Sequence, residues 1–131
     1  MSSVSSTVAE LLDLNRKLLE SIVRSDWGVY SGLCDPTLSA FEPEARGHLV
    51  EGMDFHRFYF ELEKSHGPVN VTMTRPHVRI LGDTAILSYV RLTQRLGENG
   101  QPVTAWCEET RVWHRQNGAW RHVHFHRSTN A

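Results

Sequence analysis

Thiol chemistry is scarce in this chain: Cys34 and Cys107 are its two cysteines, and they fall in different expected elements with no metal-like spacing. That pattern excludes a disulfide framework and leaves reduced thiols as the expectation. There is no Cys-x-x-Cys pair, no His-Glu-x-x-His helix, no Gly-x-Ser-x-Gly elbow and no glycine-rich phosphate loop. No familiar zinc, nucleophile or nucleotide chemistry is therefore announced, and no cofactor is expected. No apolar run approaches the length that crosses a bilayer, and the first ten residues have neither the basic nor the apolar region of a secretory signal. A cytoplasmic protein with no membrane partner is the expectation. Charge of one sign is missing too, because 14 Lys and Arg against 15 Asp and Glu leave a formal net charge of −1. Such a balance creates no field to collect nucleic acid.

What is present suits one domain over residues 1–131, 40% hydrophobic and 22% charged. Residues 1–7 are small and polar and read as a flexible lead-in. From Val8 the apolar residues Leu11, Leu12, Leu18, Leu19, Ile22 and Val23 recur at helical steps, with Asn15 interrupting the stripe. Ser25 or Asp26 can cap a short helix through Trp27 to about Leu33, which Asp35-Pro36 stops. Short β segments are expected at Leu38–Phe41 and near His48–Val50. A third helix runs from Met53 to about Lys64, with Phe55, Phe58, Tyr59 and Leu62 as its buried stripe. After Gly67-Pro68 the chain reads as sheet, in runs Val69–Leu81, Thr84–Leu96 and Val103–Arg115 and a closing strand. Helices first and an antiparallel meander second argue for an α+β fold.

The last stretch organises the rest. Asn117-Gly118 between two β-rich arms suits a two-residue turn with both φ positive, which makes Glu108–Arg127 a hairpin. Alternation puts Glu109, Arg111 and Trp113 on one face of the first arm. In the second arm it puts Trp120, His122, His124 and His126 on one face, and Arg121, Val123, Phe125 and Arg127 on the other. Neither face is plainly polar, which suggests a sheet covered by its own helices on one side and by a partner subunit on the other.

The motifs EETRVWHRQNGAW and VHFHRS, the run CDPTLSAFEPEARGHLVEGMDFHRFYFE and the segment YVRLTQ resemble the association (hub) domain of calcium/calmodulin-dependent protein kinase II. The likeness runs from about Leu11 to Ser128. It implies the nuclear transport factor 2-like (SnoaL-like) fold, a curved antiparallel sheet cupping helices into a cone. It also implies a non-catalytic homo-oligomer in which dimers close into a two-layer ring of about 12–18 subunits. In kinase homologues such a ring gathers kinase domains; this chain carries none and reads as an excised hub or a free-standing relative. After Phe58-Tyr59-Phe60-Glu61 it departs from the resemblance, because the stretch Leu62–Gly67 is shorter and lacks a tryptophan.

Arg91, Arg111 and Arg127 lie in three successive expected strands, and on one concave face their guanidiniums would converge. Unpaired charge in a partly closed place is expensive, so an anion should sit there, and guanidinium geometry suits a carboxylate or phosphate. The resemblance places all three in a deep pocket, with His56 beside it. The expected site for a small carboxylate or acidic side chain is Arg91, Arg111, Arg127, His56, Tyr59, Glu42 and Glu109. The competing expectation is internal: Glu109, Glu42 or Glu51 could neutralise the arginines as a structural network.

The alternation of His122, His124 and His126 invites a metal reading, but three imidazoles along an extended strand span too far for one zinc ion, and no metal is expected. Trp106, Trp113 and Trp120 are expected in the core or an interface. The alternative function is a small SnoaL-like or ketosteroid-isomerase-like enzyme acting on an acidic molecule, built from Asp54, His56, Tyr59, Tyr89 and Glu109. Against it, such an enzyme wants a carboxylate with a raised pKa, and three arginines would push any carboxylate the other way.

Overall fold

The computed structural model describes residues 3–62 and 67–128. The first helix, α1 (Ser3–Val23), starts within the segment expected to be a lead-in, so residues 3–7 are helical. Its inward side is set by Leu11, Asn15, Leu18 and Leu19, all essentially solvent-free. Asn15 thus completes the stripe it was expected to interrupt, because the sheet beneath supplies hydrogen-bond partners. Asp26 caps α2 (Trp27–Leu33), its Oδ1 accepting from the Val29 amide at 3.2 Å. β1 (Cys34–Phe41) follows at once, longer than expected. A 3-10 turn over Pro43–Ala45, β2 (Val50–Glu51) and α3 (Asp54–Leu62) complete the first half. The expected end of α3 at Lys64 and the interior of the shortened stretch lie outside the described residues.

On α3 the buried side carries His56, flanked by partly buried Phe55, Tyr59 and Phe60, whereas Phe58 and Leu62 are 58% and 62% exposed. Counting apolar residues misplaced this stripe by one position, because a histidine holds its centre. The second half is β3 (Val69–Leu81), β4 (Thr84–Leu96), β5 (Pro102–Gln116) and β6 (Ala119–Arg127). The β5–β6 turn has φ of 51° at Asn117 and 82° at Gly118, as an Asn-Gly loop allows.

Six strands form one sheet in the order β2-β1-β6-β5-β4-β3. All neighbours are antiparallel except β1 and β6, which run parallel and so bring the first strand beside the last. α1 packs on α2 and β3, closing the inner face over a core that includes Leu87, Trp113, Trp120 and Phe125. In β3 the pairing shifts by one residue between Thr74 and His77, where Arg75 takes a φ of 48° before Pro76.

One irregularity corrects the expected facing of β6. Val112 pairs with His124 but Trp113 pairs with His122, so Val123 is an extra residue in the ladder. On one side of this bulge Phe125 and Arg127 turn inward, and on the other His122 and Trp120 do. The three alternating histidines therefore do not share a face. His122 is fully buried, while His124 bonds Ser39 Oγ at 2.7 Å and His126 is exposed near Phe41.

Candidate functional site

Rows of inward residues on three strands build the floor of a cavity beneath α3. Tyr89 pairs with Glu109 and Glu109 with Arg127, in one row across β4, β5 and β6. The adjacent row is Leu87, Arg111 and Phe125. Arg91 stands one inward position beyond Tyr89 and opposite Cys107. His56, Tyr59 and Phe60 on α3, Tyr30 on α2 and Glu42 and Glu44 around the 3-10 turn supply the walls. The cavity, open to solvent on one side, has a volume of about 220 Å³.

The structure gathers Arg91, Arg111, Arg127, His56, Tyr59 and Glu42 around this cavity, and sets Glu109 beneath its floor. The cations do not converge as free donors. Glu109 Oε2 is 3.0 Å from both Arg91 and Arg111, and Oε1 accepts from Tyr89 at 2.6 Å. Arg111 is 1% exposed, stacks over the Phe125 ring at 4.3 Å, and is committed to Glu109. Arg127 bonds Glu44, with Glu42 Oε2 at 3.9 Å. The internal network is therefore largely real, with Glu44 as the partner that sequence reading missed. Glu51, weighed as a neutraliser, is exposed on β2 and does not line the cavity. Nothing local pairs Glu44 with Arg127, 83 residues away, although Pro43 between Glu42 and Glu44 opens the tight turn.

Two buried side-chain atoms have no protein partner among the described residues, Nε of Arg91 and Nε2 of His56. Both belong to residues lining the cavity. Burial, reinforced by the Arg111 charge, lowers the His56 pKa to about 4, so the ring is neutral. Burial alone would raise Glu109, but Arg111 and Arg91 outweigh it and hold the carboxyl at about 2. Burial likewise opposes ionisation of Glu44, and the Arg127 bond and charge overcome it. Glu42 breaks the expected rule: burial and then the Glu44 charge push it up to about 7 despite all three arginines. It lacks the close bidentate bond that the other two carboxylates have, its contacts being 3.5 Å to His56 Nδ1 and 3.9 Å to Arg127.

Asp54, offered for a catalytic set, is exposed at the start of α3, and Tyr89 is tied into the floor by Asn15, Arg111 and Glu109. Among the described residues no group of three or more His, Cys, Asp or Glu is placed to hold a metal ion, and no helix is long and apolar enough to cross a membrane.

The outer face of the sheet is the second candidate surface. Trp106 is 49% exposed there, opposite Leu92, and Phe41 on β1 is 40% exposed against His124 and His126. Trp113 and Trp120, by contrast, are in the core.

A sheet of this order with helices across its inner face defines the nuclear transport factor 2-like class. A superfamily protein of that name from Salmonella enterica superposes with a TM-score of 0.79 over 98% of this chain and 94% of that one, at 22% identity. More narrowly, the chain belongs to the calcium/calmodulin dependent protein kinase II association domain family, whose sequence model matches residues 7–131. The solved association domain of the C. elegans kinase gives a TM-score of 0.90 at 42% identity, over 95% of this chain and 97% of that one. The delta subunit of the type II kinase from Oryctolagus cuniculus is 52% identical over 122 residues, which are 91% of this chain but 23% of the relative. The association domain is the non-catalytic part of that architecture, and this chain is not an enzyme.

Proposed function

We propose that this chain is a self-associating hub. Copies pair and close into a two-layer ring of about 12–18 subunits, a number set by small rotations at a repeated contact. Membership of the association domain family carries this reading. The half-exposed Trp106 and Phe41 on the outer face support it, since large apolar side chains left on a sheet face are what a partner covers. What the ring gathers follows from the relative, a kinase subunit, so a kinase segment in the cytoplasm is the proposed cargo.

The same reading gives the cavity a ligand, a small carboxylate or an acidic side chain. Support comes from Arg91 and Arg127, whose side chains are 15% and 19% exposed and border the space, and from the unpartnered Nε of Arg91. Native mass spectrometry across a dilution series tests the assembly. The expected result is one large species that survives dilution, and Trp106→Asp or Phe41→Asp reducing it to folded smaller units. A monomer or simple dimer at all concentrations would overturn the hub.

A further inference from the structure

Glu42 sits where the cavity's charge balance is decided. Around it stand Glu44 from the 3-10 turn, Arg127 from β6, Arg111 from β5, Arg91 from β4, His56 from α3 and Tyr30 from α2. Two of the three nearby arginines are bound to Glu109 and the third to Glu44. With Glu42 ionised, three carboxylates match three guanidiniums, and an entering anion would leave an uncompensated negative charge in a partly closed space. With Glu42 neutral, one positive charge is left over, which matches a single carboxylate.

We propose that this cavity takes up a carboxylate together with one proton, and that the proton lodges on Glu42. The inference rests on the anion-binding reading of the cavity and adds its control. The neutral carboxyl does two further things. It removes one of the two negative charges beside Arg127, whose guanidinium lies 3.9 Å from Glu42 Oε2 and stays bonded to Glu44, so that cation is left under-neutralised towards the ligand. It also faces His56 Nδ1 at 3.5 Å, where a protonated carboxyl favours the tautomer with hydrogen on Nε2. That turns the ring's unpartnered nitrogen from an acceptor into a donor. His56 itself stays neutral throughout because it is buried among aromatic rings and near Arg111. A Glu42 carboxyl raised to about 7 by burial and by Glu44 puts the switch within reach of neutral pH.

Isothermal calorimetry with propionate, and separately with N-acetylated, C-amidated glutamate, tests this on the intact assembly. Titrations run in buffers of different ionisation enthalpy read the proton count directly. The expected result is uptake of close to one proton above about pH 7, with affinity falling about tenfold per pH unit there. In Glu42→Gln the uptake vanishes, affinity becomes flat with pH, and binding near pH 8 is about tenfold tighter than in the parent. Binding of propionate alone assigns the site to free acids; binding of the blocked glutamate assigns it to acidic side chains. Carboxylate binding without proton uptake, or uptake undiminished in Glu42→Gln, overturns this inference and leaves the pocket reading standing. No binding of either probe, by either protein at any pH, overturns the pocket reading and this inference with it.

Discussion

The indole nitrogen of Trp113 donates to the side-chain oxygen of Asn15 at 3.0 Å, joining α1 to β5 across 98 residues of sequence. The amide nitrogen of Asn15 in turn donates to Tyr89 Oη at 2.9 Å, and Tyr89 donates to Glu109. A single polar side chain in an apolar helix stripe thereby locks the helix to the cavity floor.

Asn15→Leu keeps the shape but strands the Trp113 N–H. We expect a loss of about 2–3 kcal/mol, because a buried donor without an acceptor forfeits its full desolvation energy. Denaturant unfolding measures it. A loss below about 0.5 kcal/mol would mean the Trp113–Asn15 contact is incidental.

Glu109 and Arg111 are buried together, so their removals are coupled. Arg111→Met is expected to cost about 3–5 kcal/mol, leaving the buried Glu109 carboxylate with Arg91 as its one remaining cation, whereas Glu109→Gln with Arg111→Met costs clearly less than the two single changes added. Equilibrium unfolding of the four proteins closes the cycle.

The two shifted carboxyls act on stability with opposite signs. Glu109, held at about 2 when folded, contributes stability that is present above its ordinary value near 4.5 and lost as pH falls towards 2. Glu42, raised to about 7, binds its proton more tightly when folded. Its contribution is full below about 4.5 and is lost as pH rises through 7. Below about pH 6.5 the buried neutral His56 and His122, both lowered, act the other way and add stability as pH rises. The Glu42 effect therefore shows as a decline in melting temperature from about pH 6.5 to 8 in the parent. Glu42→Gln should flatten that decline, and an unchanged slope would show that Glu42 titrates normally.

Deleting Val123 removes the bulge and keeps the facing, because the pairs Val112–His124 and Trp113–His122 become consecutive on both strands, whereas inserting one alanine after Val123 shifts the alternation and would turn Trp120 and His122 to the outer face. The insertion is expected to cost the folded protein, while the deletion keeps it and Val123→Ala is tolerated because this side chain is only partly buried. Circular dichroism and soluble yield distinguish these outcomes.

Much of this architecture could be read from residue order. The helix at Leu11–Val23, the runs Val69–Leu81 and Thr84–Leu96 and the Asn117-Gly118 turn are local signals, and local signals survive into the fold. The inward row Glu109, Arg111 and Trp113 was legible for the same reason. The bulge at Val123 was not, because one unpaired residue reverses a strand's facing without leaving any mark in composition. Likewise Glu44 was hidden, since its partner Arg127 is 83 residues away and reaches it through the parallel β1–β6 contact. Phe58 and Leu62 looked buried by periodicity, yet His56 holds the centre of the inward side. The rise of the Glu42 pKa was equally hidden, because it depends on which arginines other carboxylates have already taken.

The kink at Arg75-Pro76 lies in β3, which forms one border of the sheet, and the other border is the two-residue β2. Proline offers no amide hydrogen, an extra residue breaks the repeat, and two residues are too few to template a neighbour. Neither border therefore readily recruits strands end upon end. Growth by continuing the sheet, the route that leads to open fibrils, is disfavoured at both margins.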